Sequence, residues 1–156
     1  MSYLDFEKAM FLAPKCKFYT TTGGKSNDEI NKAEEILNVT FSRQCKEFYN
    51  KYGYLSFYGN EIFGIDPDDD SDILEGNTVA YALNDRKEYN LPIKWLPIYN
   101  YEDGNMAYLD YSSLNEEKEP IVIMASYNGE KYEIADTVAE DFGAFVLKLV
   151  EEQLAE

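Results

Sequence analysis

An α+β fold is predicted for this chain: a six-stranded, largely antiparallel twisted sheet built from three hairpins, with helices packed on it. Two features carry that expectation. The turn dipeptides Gly59-Asn60, Asp103-Gly104 and Asn128-Gly129 each sit between β-prone runs. Capped apolar stripes at helical spacing lie before the first of these hairpins and after the last.

In chain order, Leu4, Phe6, Met10 and Phe11 suggest a first, weak helix. Ser26-Asn27-Asp28-Glu29 is a capping box, and Ile30, Ala33, Ile36 and Leu37 continue it as a stripe ending near Asn38. Ser42 is expected to cap the next helix, which presents Cys45, Phe48, Tyr49 and Tyr52 before stopping at Gly53. Hairpins are then expected over 54–58 with 61–65, over 95–101 with 106–111, and over 121–127 with 131–135. Residues 77–88 read as a helix through Val79, Ala80 and Leu83. Thr137 and Glu140 match a second capping box, opening a helix with Val138, Phe142, Phe145, Val146, Leu149 and Val150 on its apolar face. No linker, repeat or low-complexity tract divides the chain, so residues 1–156 read as a single domain.

Of the 156 residues, 30 are Asp or Glu, 14 are Lys or Arg and none is His, for a net charge of −16. The charge is uneven. Residues 1–52 carry a net +1, whereas residues 53–156 carry −17. The densest acidic stretch runs from Glu61 to Glu75 and contains no basic residue. Such a balance argues against nucleic acid, whose affinity comes from clustered Lys and Arg, and against an anionic membrane surface. Absence of His removes the commonest metal ligand and the usual near-neutral acid–base group, and no cofactor is expected. Cys16 and Cys45 lack metal-ligand spacing and read as reduced thiols of a cytoplasmic protein, a single disulfide being the alternative. The N-terminus has no basic region followed by an apolar run, so neither a signal peptide nor a membrane span is expected.

Four motifs invite chemistry. Gly23-Gly24-Lys25-Ser26 opens a helix like a phosphate-binding loop, but the motif's first glycine is replaced by Tyr19, and Ser26 as a cap explains the same letters. Asp66-x-Asp68-x-Asp70 resembles the start of a calcium loop, yet the sixth position is Ser71 and the twelfth Asn77, where Gly and a bidentate Glu are needed. A pair of carboxylates across a cleft could hydrolyse a glycoside, but with 30 acids such a pair has no specificity. Trp95 reads as core, with a pocket role as the alternative.

The order of the pieces resembles the SUKH superfamily of Smi/Knr-type domains. The likeness starts at Ile30, Ala33, Glu34 and Leu37 and continues through Val39, Phe41, Phe48, Tyr49, Tyr52 and Gly53. It then includes Leu55, Phe57, Gly59, Ile62 and Gly64, Trp95-Leu96-Pro97-Ile98, Asp103-Gly104, Leu109-Asp110 and the closing Asp141-Phe142-x-x-Phe145-Val146. Ser42 departs from a usual proline and Asn105 from a frequent Asp. The resemblance implies a non-enzymatic binding domain, for most bacterial members an immunity protein that neutralises a toxin, often a nuclease. A regulatory module of the yeast cell-wall regulator type is the alternative.

A nuclease must hold phosphates in a basic cleft, and an acidic face is complementary to such a cleft. The expected partner is therefore a cognate protein toxin, a nuclease domain, occluded one to one. Expected contacts are Asp66, Asp68, Asp69, Asp70, Asp72, Glu102 and Asp103, with Tyr58 and Tyr101 as aromatic anchors at hairpin ends near those acids.

Overall fold

The computed structural model describes residues 2–69 and 73–155. The chain begins with α1 (Ser2–Leu12), a 3-10 turn at Ala13–Lys15, β1 (Thr20–Thr21), α2 (Asn27–Leu37) and α3 (Arg43–Lys51). A short hairpin, β2 (Leu55–Phe57) and β3 (Asn60–Ile62), leads by a loop to α4 (Thr78–Tyr89). β4 (Trp95–Asn100), β5 (Met106–Leu114), β6 (Pro120–Tyr127) and β7 (Tyr132–Ala139) then precede α5 (Phe142–Leu154).

The strands form two antiparallel sheets, ordered β1-β2-β3 and β4-β5-β6-β7, instead of the single six-stranded sheet expected. The first hairpin pairs its outer edge with β1, Thr20 opposite Ser56 and Thr21 opposite Leu55. Toward β4 it offers the Phe63 N–H to the Ile98 carbonyl at 3.0 Å, not a ladder. The reason lies at Gly64, where a Cβ would stand 2.0 Å from the Gly53 carbonyl oxygen. This backbone-on-backbone contact turns the chain away after Ile62, three residues short of the predicted strand end.

Alternation along the longer sheet gives it two apolar faces. Leu96, Ile98, Ala107, Leu109 and Val122 join the main core with Phe48, Phe57, Phe142 and Val146. Trp95, Tyr108, Ile123 and Ala125 form a second, smaller cluster with Leu91 on the opposite face. α1 lies along α5 so closely that a Cβ on Gly143 would stand 2.7 Å from the Phe6 Cα. On α1, Phe6, Ala9 and Met10 are buried while Leu4 and Phe11 face outward. Cys16 and Cys45 are both buried free thiols, and burial pushes the Cys45 thiol up to about 12.

Helix starts follow two rules. α2 keeps its capping box: the Ser26 side chain accepts from the Glu29 N–H at 3.2 Å, and the Glu29 carboxylate accepts from the Ser26 N–H at 3.1 Å. α4 starts at Asn77, whose Oδ1 accepts from the Val79 N–H at 3.1 Å. The other two caps come from elsewhere than expected. Ser42 holds the N-cap position of α3 without a side-chain cap bond, and its N–H donates instead to the Tyr111 hydroxyl at 3.1 Å. The Gln44 N–H of α3 donates to Glu119 Oε2, just before β6, at 3.3 Å. Thr137 and Val138 lie within β7, Thr137 opposite Ile123, so they cannot open the last helix. Asp141 does so, accepting from the Ala144 N–H at 2.8 Å.

Asp141 and Gln44 complete a buried joint. The Gln44 amide donates to Asp141 Oδ2 at 3.4 Å and accepts from the Gly143 N–H at 2.7 Å. Burial raises the Asp141 and Glu119 carboxyls above their usual range, against the hydrogen bonds that each accepts. Asp141→Ala removes a cap and strands the Gln44 donor, so a loss of about 2 kcal/mol in denaturant unfolding is expected. The raised carboxyls bind a proton more tightly folded than unfolded. Stability from this term is present at low pH and is lost as pH rises from about 4, the unfolded carboxylate range, through the raised folded values. In Glu119→Gln that loss disappears at residue 119, so thermal scans at successive pH values should show the variant gaining on the parent as pH rises through this window.

Candidate functional site

The acidic run folds back on its own base. Asn77 Oδ1 accepts from the Asp66 N–H at 3.0 Å while its amide donates to the Asp66 carbonyl at 3.1 Å. Beside it the Gly64 N–H donates to the Gly76 carbonyl at 3.0 Å and the Thr78 N–H to the Gly64 carbonyl at 2.9 Å. One buried asparagine thus caps α4 and closes the loop whose start and end carry the acids.

This closure creates a groove of about 270 Å³ between the loop, β3 and the segment leading into α2. Glu61, Asp66, Asp69 and Glu75 line it, together with Tyr54 and Lys25. Glu61 projects from β3 and accepts the Tyr54 hydroxyl. Glu75 accepts from the Tyr81 hydroxyl at 3.3 Å. Burial first, then its contact with the Glu61 carboxyl and the charge of Glu102, push the Glu75 carboxyl up. The Tyr81 phenol is pushed up to about 12 by burial and by Glu75. Like charges therefore converge here, and Lys25, which also borders the groove, pairs with Glu29 at 3.9 Å. Such a concavity focuses negative potential and suits a cationic surface.

The expected contact residues divide. Asp66 and Asp69 lie in the groove. Asp68 is exposed and pairs with Lys32 of α2. Asp70 and Asp72 lie outside the described residues. Glu102 and Asp103 are exposed at the β4–β5 turn, where Asp103 Oδ1 accepts from the Asn105 N–H at 2.9 Å. Of these two, Glu102 makes its charge felt at Glu75. Tyr101 is half-buried edge-on to Tyr99 at 5.0 Å, and burial, with Tyr99 and Asp103, pushes its phenol up to about 12. Tyr58 departs from its expected acidic setting. It stacks on Phe18 at 6.2 Å and borders a hollow lined by Lys15, Cys16, Lys17, Gln153 and Leu154. The Tyr58 N–H donates to the Lys17 carbonyl at 3.0 Å, which ties the hairpin tip to the lysine-bearing segment after α1.

Reading the sequence left Glu61, Glu75, Tyr54 and Asn77 outside the expected contact set. A signal was present: the acids are interleaved with Gly53, Gly64 and Gly76, spaced as a loop returning to its base would need. The glycine-lysine motif has a packing role. A Cβ on Gly24 would lie 1.7 Å from the Asn50 carbonyl oxygen, and the Lys25 N–H donates to the Tyr49 carbonyl at 2.8 Å. Among the described residues, no group of three or more acids or cysteines is placed to hold a metal ion, and no helix is long and apolar enough to cross a membrane.

Comparison with curated proteins gives no match. A family model, SUKH_6, described as SMI1-KNR4 cell-wall, matches residues 27–146. The matched span runs from the start of α2 into α5 and contains the acidic loop, Tyr54, Glu61 and Asn77, all but the Thr22–Lys25 side of the groove. By that match the chain belongs to the SUKH_6 family of SMI1-KNR4 type.

Proposed function

We propose that this chain is a non-enzymatic immunity protein of the cytoplasm, which binds a toxin, a nuclease domain, and blocks its basic cleft. The observation that carries this reading is the convergence of Glu61, Asp66, Asp69 and Glu75 in one groove, with Glu102 adding its field. Like charges held close together raise the free energy of the isolated protein, and a cationic partner relieves that repulsion. Family membership supports a binding role of this kind. The cell-wall wording of the family description favours a second reading, a regulatory module that binds a cellular protein.

Co-expression with a toxin nuclease domain, taken from the neighbouring gene where that gene encodes one, followed by co-purification, tests the first reading. A one-to-one complex that abolishes nuclease activity is expected. Recovery of neither complex nor protection, with no toxin gene adjacent, would favour the regulator.

Electrostatic capture makes a kinetic prediction. The association rate, measured by stopped flow, should fall by about tenfold or more between low and physiological salt. A salt-independent rate would remove the charge mechanism. In Glu61→Gln/Glu75→Gln the association rate should drop roughly threefold or more at low salt, with the dissociation rate changing less. Because Gln keeps an acceptor for Tyr54 and Tyr81, the melting temperature should not fall.

A further inference from the structure

The second face of the four-stranded sheet ends at an open edge. β7 is last in the strand order, and residues 133–137 are exposed along it. Beside it an aromatic cluster is continuous: Tyr89 to Tyr127 at 4.9 Å, Tyr127 to Tyr132 at 5.3 Å and Trp95 to Tyr132 at 5.9 Å. In front of these rings is a hollow of about 500 Å³ bordered by Tyr89, Pro92, Trp95, Tyr132 and Ile134, with Glu130 and Lys131 at its rim. Ile134 is 54% exposed, in a strand where an edge position is normally guarded by a polar residue.

The strand register separates the chemistry of β7 by face. Tyr132 lies opposite Tyr127 and Ile134 opposite Ala125, so both stand on the aromatic face. Glu133 lies opposite Ser126 and Asp136 opposite Met124, on the other face. We propose that this edge receives an extended segment of another protein whose side chains alternate apolar and basic. Its backbone would pair with β7, its apolar side chains would enter the hollow beside Ile134, and its basic ones would meet Glu133 and Asp136.

Charge weighs against a second copy of this chain as the occupant, because residues 132–137 carry Glu133 and Asp136 and no base, and would meet the same acids on the copy. Antiparallel self-pairing of β7 centred between Ile134 and Ala135 would set Glu133 directly opposite Asp136, and like charges directly opposed destabilise a strand pair. The bulge between Ile134 and Asp136 ends the regular stretch, so the paired segment is short, and the side chain filling the hollow supplies specificity. This surface is separate from the groove, and its test does not depend on the toxin.

The test uses the full chain, isotope-labelled for NMR, titrated with a capped six-residue peptide alternating Lys and Ile. Saturable amide shifts over residues 130–136 and at the Trp95 indole are expected at millimolar peptide. A peptide alternating Glu and Ile should produce none of them. Ile134→Lys, at an exposed position, should keep the parent melting temperature and weaken the titration at least tenfold. Shifts centred on Glu61 and Glu75 instead, equal response to the Glu peptide, or no shift at millimolar concentration would overturn the proposal. So would concentration-dependent β7 shifts without peptide, accompanied by dimers in sedimentation.

Discussion

The fold depends on a buried joint of three polar side chains, Gln44, Glu119 and Asp141. Each is almost wholly removed from solvent, and among the described residues no cation pairs with either carboxylate. Their stabilisation comes from helix starts. The N-termini of α3 and α5 present free amide groups with partial positive charge, and these carboxylates and the Gln44 carbonyl take them up. The geometry matters more than the strength of any one bond, because a buried donor left without an acceptor costs more than a satisfied one contributes. Through Asn115, which donates to the Glu140 carbonyl at 3.0 Å and accepts from the Glu119 N–H at 3.0 Å, the β5–β6 turn is locked to the same joint. Helices and long sheet are thereby held in one relative position, and Phe48 and Phe142 can meet at 5.0 Å in the core beside it.

Once that frame is set, the short sheet has little room. Contacts between Gly53 and Gly64, and between Gly24 and Asn50, bring backbone against backbone. The loop after β3 must then close over a narrow base, and Asn77 satisfies the amides and carbonyls exposed by that closure. Crowding of Glu61 against Glu75 follows from the same constraint. The acidic groove is thus a product of packing, and its charge is concentrated by closure beyond what the residue count alone implies.

Legibility differed by type of interaction. Ser26 and the stripe of α2 were readable because a cap and its amide lie within three residues of one another. Asn128-Gly129 was readable as a turn, with Asn128 Oδ1 accepting from the Glu130 and Lys131 amides. The Thr137–Glu140 pair misled for a physical reason: a capping-box pattern can equally sit in a strand when cross-strand pairing with Ile123 outweighs local propensity. At the site, the density of acids from Glu61 to Glu75 marks the loop in the sequence, whereas the meeting of Glu61 and Glu75 at its two ends depends on the closure over Asn77.

By itself the sequence determined the α+β class, most helix positions, the hairpin turns and the placement of negative charge in the second two-thirds of the chain. These rest on relations among near neighbours, such as side chains four residues apart, caps three apart and turn dipeptides. Only the tertiary structure decided that there are two sheets, that Asp141 opens the last helix, that Tyr58 stands beside lysines and that Glu61 meets Glu75. Those outcomes depend on contacts between separate segments, from the β6–β7 pairing that keeps Thr137 in a strand to the Gln44–Asp141 bond spanning 97 residues. Local preference cannot encode such a pairing, because it is set by which faces must be buried together and which buried polar groups must find partners.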